Sequence, residues 1–496
     1  MYQTFIGLEV HIHLLTKTKV FCDCRSAFGD EPNTNICPVC MGYPGVLPAL
    51  NIEAMRMGCT MARSLQCRIP ERTWFERKQY FYPDMTKNYQ ISQFASPLGQ
   101  EGRIELEGKN IKKTVRIREC HLEEDAGKMI HTGTVSLLDY NRAGVALLEI
   151  VTEPDMESGE EAELFIQQLR RMVRYLGICD GNMEEGSLRA DANISINLPG
   201  KGLGKKVEIK NLNSSRFVRL SLNYEQERQA ACLDAGKIIV QETRLWNENR
   251  DQTETMRTKE NANDYRYFPE PDLPVFTPDR EFLKSVDAAL VELPRERFHR
   301  FQAEYKLSDE QADLICEEKA FADYFESTVE AVLASSGKIT LDKAGAAQKV
   351  SNWLLSDIKH LLSRENMPLA DIGSLKLTAR RLAQLVFLVA EGQLSNKNAK
   401  QTLEFVLAED KDPSSIIKEK GWSQISDPVV IKDAVEKVYA AEESTFSEVR
   451  AALANGNQKR IATLTAFLVG KVLAETRGRA NPEIAGKVLN ERIKEL

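Results

Sequence analysis

Four segments in the first two hundred residues put ionisable side chains where a strand would ordinarily be apolar. In "GLEVHIHL" the two-residue period of an extended chain sets Glu9, His11 and His13 on one face and Leu8, Val10 and Ile12 on the other. One carboxylate and two imidazoles on a face can hold a divalent cation or pass protons, although a half-exposed edge strand shows the same pattern. "HLEEDAGK" adds His121, Glu123, Glu124 and Asp125, and "ALLEIV" sets Glu149 inside an otherwise apolar run. A carboxylate there is costly unless it is paired or coordinated. In "LRADANISI", Asp191 and Asn193 share a face opposite Ile194 and Ile196. Oxygen-rich ligand sets suit Mg²⁺, the usual companion of a nucleoside triphosphate. Cations to hold phosphates are available in "FERKQYFYPD" (Arg77, Lys78) and "KKVEIKNLNSSRF" (Lys206, Lys210, Arg216), though a charge run is as readily a solvated face. The residues alone thus reach a Mg²⁺-dependent, phosphate-handling site.

A second constellation lies in "CDCRSAFGDEPNTNICPVC", where Cys22, Cys24, Cys37 and Cys40 form two close pairs. Four thiolates at this spacing can meet on one tetrahedral Zn²⁺ if the turn-forming residues between them fold the loop back. A closed four-thiolate site is structural and performs no chemistry. The competing reading, a disulfide framework, needs an oxidising compartment; no signal peptide is visible and the other six cysteines lie singly, so a cytoplasmic protein is expected.

The elements that must position these groups change character along the chain. Up to about residue 290 short strands dominate: "VRIREC" and "KKVEIKNL" alternate, and "VALLEIV" reads as a strand buried on both faces. A helix interrupts them where Leu164, Ile166, Leu169, Met172, Val173 and Leu176 form a stripe ending at Gly177. After the proline-rich "FPEPDLPVFTPD" helical periodicity takes over. Thr378 is placed to cap a helix whose Leu382, Leu385, Val386 and Val389 share a face and which ends at Gly392. The polar "AEDKDPSS" suggests a further cut near residue 410. The expectation is an α+β chain of three domains: 1–290 with a mixed sheet, an all-α domain 291–410, and an all-α tail 411–496.

Composition excludes several classes. The 496 residues carry 66 Lys and Arg against 73 Asp and Glu, a net charge of −7, which argues against a bulk electrostatic grip on nucleic acid. Locally, residues 459–496 hold eight Lys or Arg (Lys459, Arg460, Lys471, Arg477, Arg479, Lys487, Arg492, Lys494) against four Glu, so the tail can still meet a phosphate backbone. No run of about 18 apolar residues spans a membrane. No phosphate loop, dinucleotide fingerprint or G-x-S-x-G elbow is present, so any nucleotide is bound by another fold.

Taken together, "IGLEVHIHL", "YPGVLPALN", "RKQYFYPDMTKNYQISQF", "HLEEDAGK", "EIVTEPD", "MEEGSLRADANISI", "EIKNLNS", "QETRLW", "DYRYFPEPDLP" and "FLVGKVLAETRGRANPE" resemble the B subunit of the aspartyl/glutamyl-tRNA amidotransferases, the GatB family, in order along nearly the whole chain. The resemblance implies a ligase that uses ATP and Mg²⁺ to phosphorylate the side-chain carboxylate of a tRNA-borne Asp or Glu and lets ammonia displace the phosphate. It implies as partners a misacylated tRNA, the amidase (glutaminase) or A subunit, which supplies ammonia from glutamine through a channel, and the small C subunit. It also implies a cradle domain with the active site, followed by helical and tail domains that touch tRNA. Carried over residue by residue, Glu9, His11, Glu124 (with Glu123 as the other candidate), Glu149 and Asp191 become metal and transamidation residues. Lys78 becomes a catalytic cation, and Arg77 and Lys78 face phosphates or the substrate carboxylate, beside Lys210 as the residue pattern already offered. His13 stands where relatives usually carry an acid. The four cysteines vary among relatives, some of which hold zinc there, so structural zinc is expected.

Two rival readings compete with this one. A zinc-ribbon protein that only binds tRNA leaves Glu149 and the His/Glu strand unexplained. A self-sufficient glutaminase needs an activated nucleophile, and none stands out.

Overall fold

The computed structural model describes residues 2–258, 265–337, 339–425, 427–476 and 478–495. Arg477 of the basic tail and Asp264 of "DYRYFPEPDLP" lie outside the described residues. The chain divides into two compact units, Met1–Pro294 and Arg295–Leu496.

The first unit is built around β1 (Gln3–His13). Further strands are β2 (Glu76–Gln79), β3 (Tyr89–Ser92), β4 (Gly99–Glu107), β5 (Lys112–Glu124), β6 (Lys128–Thr132), β7 (Val135–Asp139) and β8 (Ala146–Thr152). They are followed by β9 (Leu188–Asn197), β10 (Val207–Leu212), β11 (Glu242–Asn247), β12 (Gln252–Thr258) and β13 (Phe268–Pro269). An eight-stranded sheet runs β12-β11-β10-β9-β1-β8-β5-β4. Its pairs are antiparallel except β10 with β11, so the sheet is mixed.

The two faces of this sheet differ because the strands alternate. Ile6, Leu8, Val10 and Ile12 of β1 are each at most 1 % exposed. They share a core with residues of α1 (Ile52–Ser64), α2 (Gly159–Tyr175) and α3 (Ser215–Asp234). Helix α1 packs on β4 and β5, α2 on β4 and α3, and α3 on β9. In α2, Ser158 caps the start by accepting from the Glu161 amide, and Phe165, Ile166, Leu169 and Val173 are fully buried. Leu164 and Leu176 sit only partly buried at the margin of the stripe. Gly177, with φ of +66°, turns the chain out of the helix. Each large apolar side chain buried here contributes about 1.5–3 kcal/mol, so this face fixes strand register and leaves the other face to polar groups.

A small sheet, ordered β13-β2-β3, lies beside the end of β5. Hydrogen bonds hold it there, among them the Ile91 amide donating to Glu124 Oε1 at 2.8 Å and the Leu122 amide donating to Gln93 Oε1 at 2.9 Å.

The second unit is helical, with two cores. One joins Phe298 through Ile417 and the other Ile431 through Ile493. Thr378 caps the helix Ala379–Ala390 by accepting from the Arg381 amide; Leu382, Leu385 and Val386 are buried, and Gly392 follows at φ +69°. The polar stretch at 410 is a turn between two helices of one core, because Ile416 and Ile417 from the next helix, Pro413–Lys420, are buried in it. No described helix is long and apolar enough to cross a membrane.

Candidate active site and metal centres

On the polar face, strand register does the assembling. His11 of β1 pairs with Glu149 of β8, which pairs in turn with His121 of β5, so three ionisable groups form one row across three strands. His121 Nε2 lies 2.8 Å from Glu149 Oε2, and His11 Nε2 lies 3.7 Å from Glu149 Oε2 and 3.8 Å from Glu123 Oε1. His11, Glu123 and Glu149 each bring one ligand atom within 4.8 Å of the others. Burial opposes charge on Glu149, but His11 and His121 outweigh it and hold the carboxyl far below its usual range. Burial likewise opposes charge on His121, yet Glu149 and Glu123 raise its pKa to about 10.

Lys78 of β2 belongs to the same site. Burial disfavours its ammonium, and Glu123, Tyr267 and Glu149 more than restore it. Its Nζ lies 5.1 Å from the ring centre of Tyr265. Arg77, one residue earlier, points to the other side of the strand. There Glu270 takes Nε and Nη2 at 2.8 Å each, and Asp272 takes Nη2 at 3.1 Å. The guanidinium is thus committed to two carboxylates.

The parity of β5 separates Glu123 from Glu124. Glu123 follows His121 by two residues and shares its face. Glu124 faces away, where Lys87 Nζ grips both carboxylate oxygens at 2.5 and 2.6 Å. It falls in neither carboxylate group. His13 also turns aside, to Asp125 at 2.6 Å. Asp125 is buried, and Arg189, His13 and Arg142 hold it ionised far below the usual carboxylate range.

A second acidic group stands one step along the strands. Glu9 of β1 is in register with Asp191 of β9, and Glu208 of β10 completes a set with ligand atoms within 4.8 Å. Lys210 Nζ sits 2.5 Å from Asp191 Oδ2 and 3.2 Å from Glu208 Oε1. The register of β10 shifts between Ile209 and Leu212, and Asn211 takes a φ of +66°, so Lys210 lies within the irregular stretch of the strand. Thr243 Oγ1 donates to Glu208 Oε2 at 2.9 Å. Asn193 Nδ2 donates to Glu9 Oε1 at 2.9 Å, while Asn193 Oδ1 is buried without a partner among the described residues. Glu208 and Thr243 are additions to the sequence reading, although the alternation of "KKVEIKNL" puts Glu208 on the face of Lys206 and Lys210.

Both sets suit a hard divalent cation by donor chemistry: carboxylates with one imidazole in the first, carboxylates beside an unpartnered amide oxygen in the second. The residues that would hold Mg²⁺ are His11, Glu123 and Glu149, and Glu9, Asp191 and Glu208.

The four cysteines converge as their spacing requires. Cys22, Cys24, Cys37 and Cys40 are free thiols whose sulfurs lie within 4.8 Å of one another. The Cys37 amide donates to Cys40 Sγ at 3.2 Å. This donor set fits a tetrahedral Zn²⁺.

The tail's basic character is narrower than its composition. Arg460 pairs with Glu448, Lys471 with Glu442 and Arg492 with Glu436. Lys459, Arg479, Lys487 and Lys494 are exposed.

Comparison with known proteins agrees with this architecture. Residues 4–284 match the GatB/GatE catalytic domain and residues 338–493 the GatB domain. The aspartyl/glutamyl-tRNA(Asn/Gln) amidotransferase B subunit of Acaryochloris marina is 42% identical over 99% of this chain and 98% of its own length. The protein of the same name from Thermodesulfovibrio yellowstonii is 41% identical over 100% of both chains, and that from Synechococcus elongatus is 43% identical over 99% and 98%. The chain belongs to the family of aspartyl/glutamyl-tRNA(Asn/Gln) amidotransferase B subunits.

Proposed function

We propose that this chain activates the side-chain carboxylate of Asp-tRNA(Asn), Glu-tRNA(Gln) or both with ATP and transfers ammonia to it, as the ligase component of a glutamine-hydrolysing amidotransferase. The observation that carries this reading is the His11–Glu149–His121 row with the half-buried Lys78 beside it, on the face that also holds Glu9, Asp191 and Glu208. A carboxylate oxygen attacks the γ-phosphorus, the bond to ADP breaks, and an acyl phosphate forms. Ammonia then adds to the carbonyl carbon and phosphate leaves, a carboxylate or imidazole of the row taking the surplus proton. Two anions must approach for the first step, and Lys78 offsets their repulsion. Mg²⁺ bound by these acids would neutralise triphosphate charge. Lys210, beside Asp191, is the second phosphate contact in this reading, whereas Arg77 braces the strand that presents Lys78.

The partners follow from the chemistry. No activated nucleophile stands out in the sequence, and in this reading ammonia comes from the amidase or A subunit, with the small C subunit completing the assembly. The helical and tail segments, 291–410 and 411–496, contact the misacylated tRNA, with Lys459, Arg479, Lys487 and Lys494 offering exposed cations. The four cysteines hold structural Zn²⁺. A tRNA-modifying ligase of this kind works in the cytoplasm, where tRNA is charged.

The test is amidation of Glu-tRNA(Gln) and of Asp-tRNA(Asn) with ammonium chloride, ATP and Mg²⁺, with and without the partner subunits. ATP-dependent, glutamine-independent product supports the reading and identifies the substrate. No product even with partners and free ammonia makes the chain a tRNA-binding scaffold.

A further inference from the structure

Lys19 runs its whole side chain into the interior and is 0 % exposed. A buried ammonium is costly unless its charge is met. Among the described residues no carboxylate comes within the 4.0 Å of an ion pair. The nearby acid, Glu124, borders the same glycine as Lys19 but is gripped on both oxygens by Lys87. What Lys19 Nζ does reach is Cys40 Sγ at 3.6 Å and the Tyr140 carbonyl at 3.3 Å.

The surrounding chain is built to admit this lysine. Its amide donates to Cys24 O at 2.9 Å, and the Val20 amide donates to Gly144 O at 2.9 Å, so the knuckle and the loop before β8 close around it. Gly144 has a φ of +87°, and a Cβ there would lie 3.4 Å from Lys19 Cδ and 3.6 Å from Cys40 Cβ. A side chain at position 144 would therefore be strained and would crowd both the lysine and the cysteine.

We infer that Lys19 is the built-in counter-ion of the metal-loaded knuckle, its ammonium donating to the Cys40 thiolate and offsetting the excess negative charge of four thiolates around one dication. This rests on the reading of Cys22, Cys24, Cys37 and Cys40 as a zinc site. Against neutral thiols the ammonium would have only a carbonyl and a weak sulfur acceptor. Against a metal-bound thiolate it makes a charge-assisted bond. Exchange for an apolar side chain of similar length must therefore act oppositely on the two forms. It relieves a buried charge in the metal-free protein and removes a thiolate partner in the loaded one.

The experiment compares full-length wild type, Lys19→Met and Lys19→Arg, each loaded with Zn²⁺ and challenged with a colorimetric chelator, and each loaded with Co²⁺ for its spectrum. Lys19→Met should bind Zn²⁺ roughly tenfold or more weakly. Its sulfur-to-cobalt charge-transfer band should move to lower energy, and Lys19→Arg should recover most of the affinity. Metal-free Lys19→Met should melt no lower than metal-free wild type, and the loaded variant should melt lower than loaded wild type. Unchanged zinc affinity and spectrum in Lys19→Met overturn the inference, as does an equal loss of stability with and without metal. A wild-type chain that takes up neither metal overturns the zinc assignment itself, which a changed or unchanged variant alone would not do.

Discussion

Glu149 and His121 stand in register on adjacent strands with 2.8 Å between Oε2 and Nε2. β1 sets His11 opposite the same carboxylate, so one acid is flanked by two imidazoles in the middle of a sheet whose other face packs Ile6, Leu8, Val10 and Ile12 into the core. Neither the acid nor the imidazoles would be tolerated there singly. Their mutual pairing, and the further group at Glu9, Asp191 and Glu208, explain why this face can be charged without unfolding the strands that carry it.

Glu149→Gln and Asp191→Asn keep shape and remove charge, one in each carboxylate group. Amidated product should fall roughly a hundredfold or more in each, because a ligand charge facing the reacting phosphates is lost. tRNA binding should stay within a few-fold, since neither residue faces the nucleic-acid backbone in the proposed arrangement. Steady-state amidation alongside filter binding separates the two, and wild-type turnover in either variant would remove that residue from the site.

The raised pKa of His121 has a definite sign in stability. Burial alone would keep the ring neutral, but Glu149 and Glu123 hold its pKa at about 10 against an ordinary 6.5. The pairing therefore stabilises the fold fully below the ordinary value, and this contribution is lost as pH climbs through about 10. In metal-free protein the His121 ring resonance should stay flat through neutral pH, with the melting temperature falling on the alkaline side. Glu149→Gln should bring the titration down toward the ordinary value and blunt the alkaline loss. A wild-type His121 signal that titrates near neutrality contradicts the pairing.

Much of this was legible in the residues, and the reasons for the exceptions are physical. Alternation alone set Glu9, His11 and His13 on one face, and the cysteine spacing brought four sulfurs together. The mixed sheet and the Thr378 cap likewise follow from local pattern. Strand parity could separate Glu123 from Glu124, but only cross-strand register says which parity meets His11. Lys210 lies within an irregularity of β10, and Glu208 joins Glu9 and Asp191 only because β10 sets it opposite Asn193 of β9. Arg77 reads as a free cation until Glu270, 193 residues away, closes on it. Such long-range pairs leave no local trace.

Metal removal should act on stability before chemistry at the knuckle. Cys22→Ser with Cys24→Ser removes two of four sulfurs that lie within 4.8 Å of one another. The loop they close packs Asn35 and Asn33 against Asn141 and Asp139 through hydrogen bonds of 2.8 and 3.1 Å. The double variant should melt at a clearly lower temperature and lose its response to added Zn²⁺, while its rate with free ammonia at low temperature falls by only a few-fold. Calorimetry and single-turnover amidation on the same preparation decide it; intact stability with lost catalysis would give the knuckle a direct role in the reaction.

The tail makes a sharper prediction because its apparent boundary and its physical one differ. A chain ended at residue 410 loses Ile416 and Ile417, which are buried at 1 % and 6 % exposure in the core that also holds Val406 and Leu403. Buried isoleucines are worth about 2–5 kcal/mol each against alanine, so chain 1–410 should unfold its C-terminal unit at a much lower denaturant concentration. A chain ended at Trp422 keeps both side chains and omits the whole of the core that begins at Ile431. It should remain folded in what is left and should still turn over ATP with a minimal substrate. With Lys459, Arg479, Lys487 and Lys494 gone, it should bind misacylated tRNA more weakly, and the slope of log affinity against log salt should flatten by up to about one for each phosphate contact removed. Equal stability of the two truncations would show that the helix Pro413–Lys420 does not hold the second core together. An unchanged salt slope in the longer one would move the tRNA contact away from the last four helices.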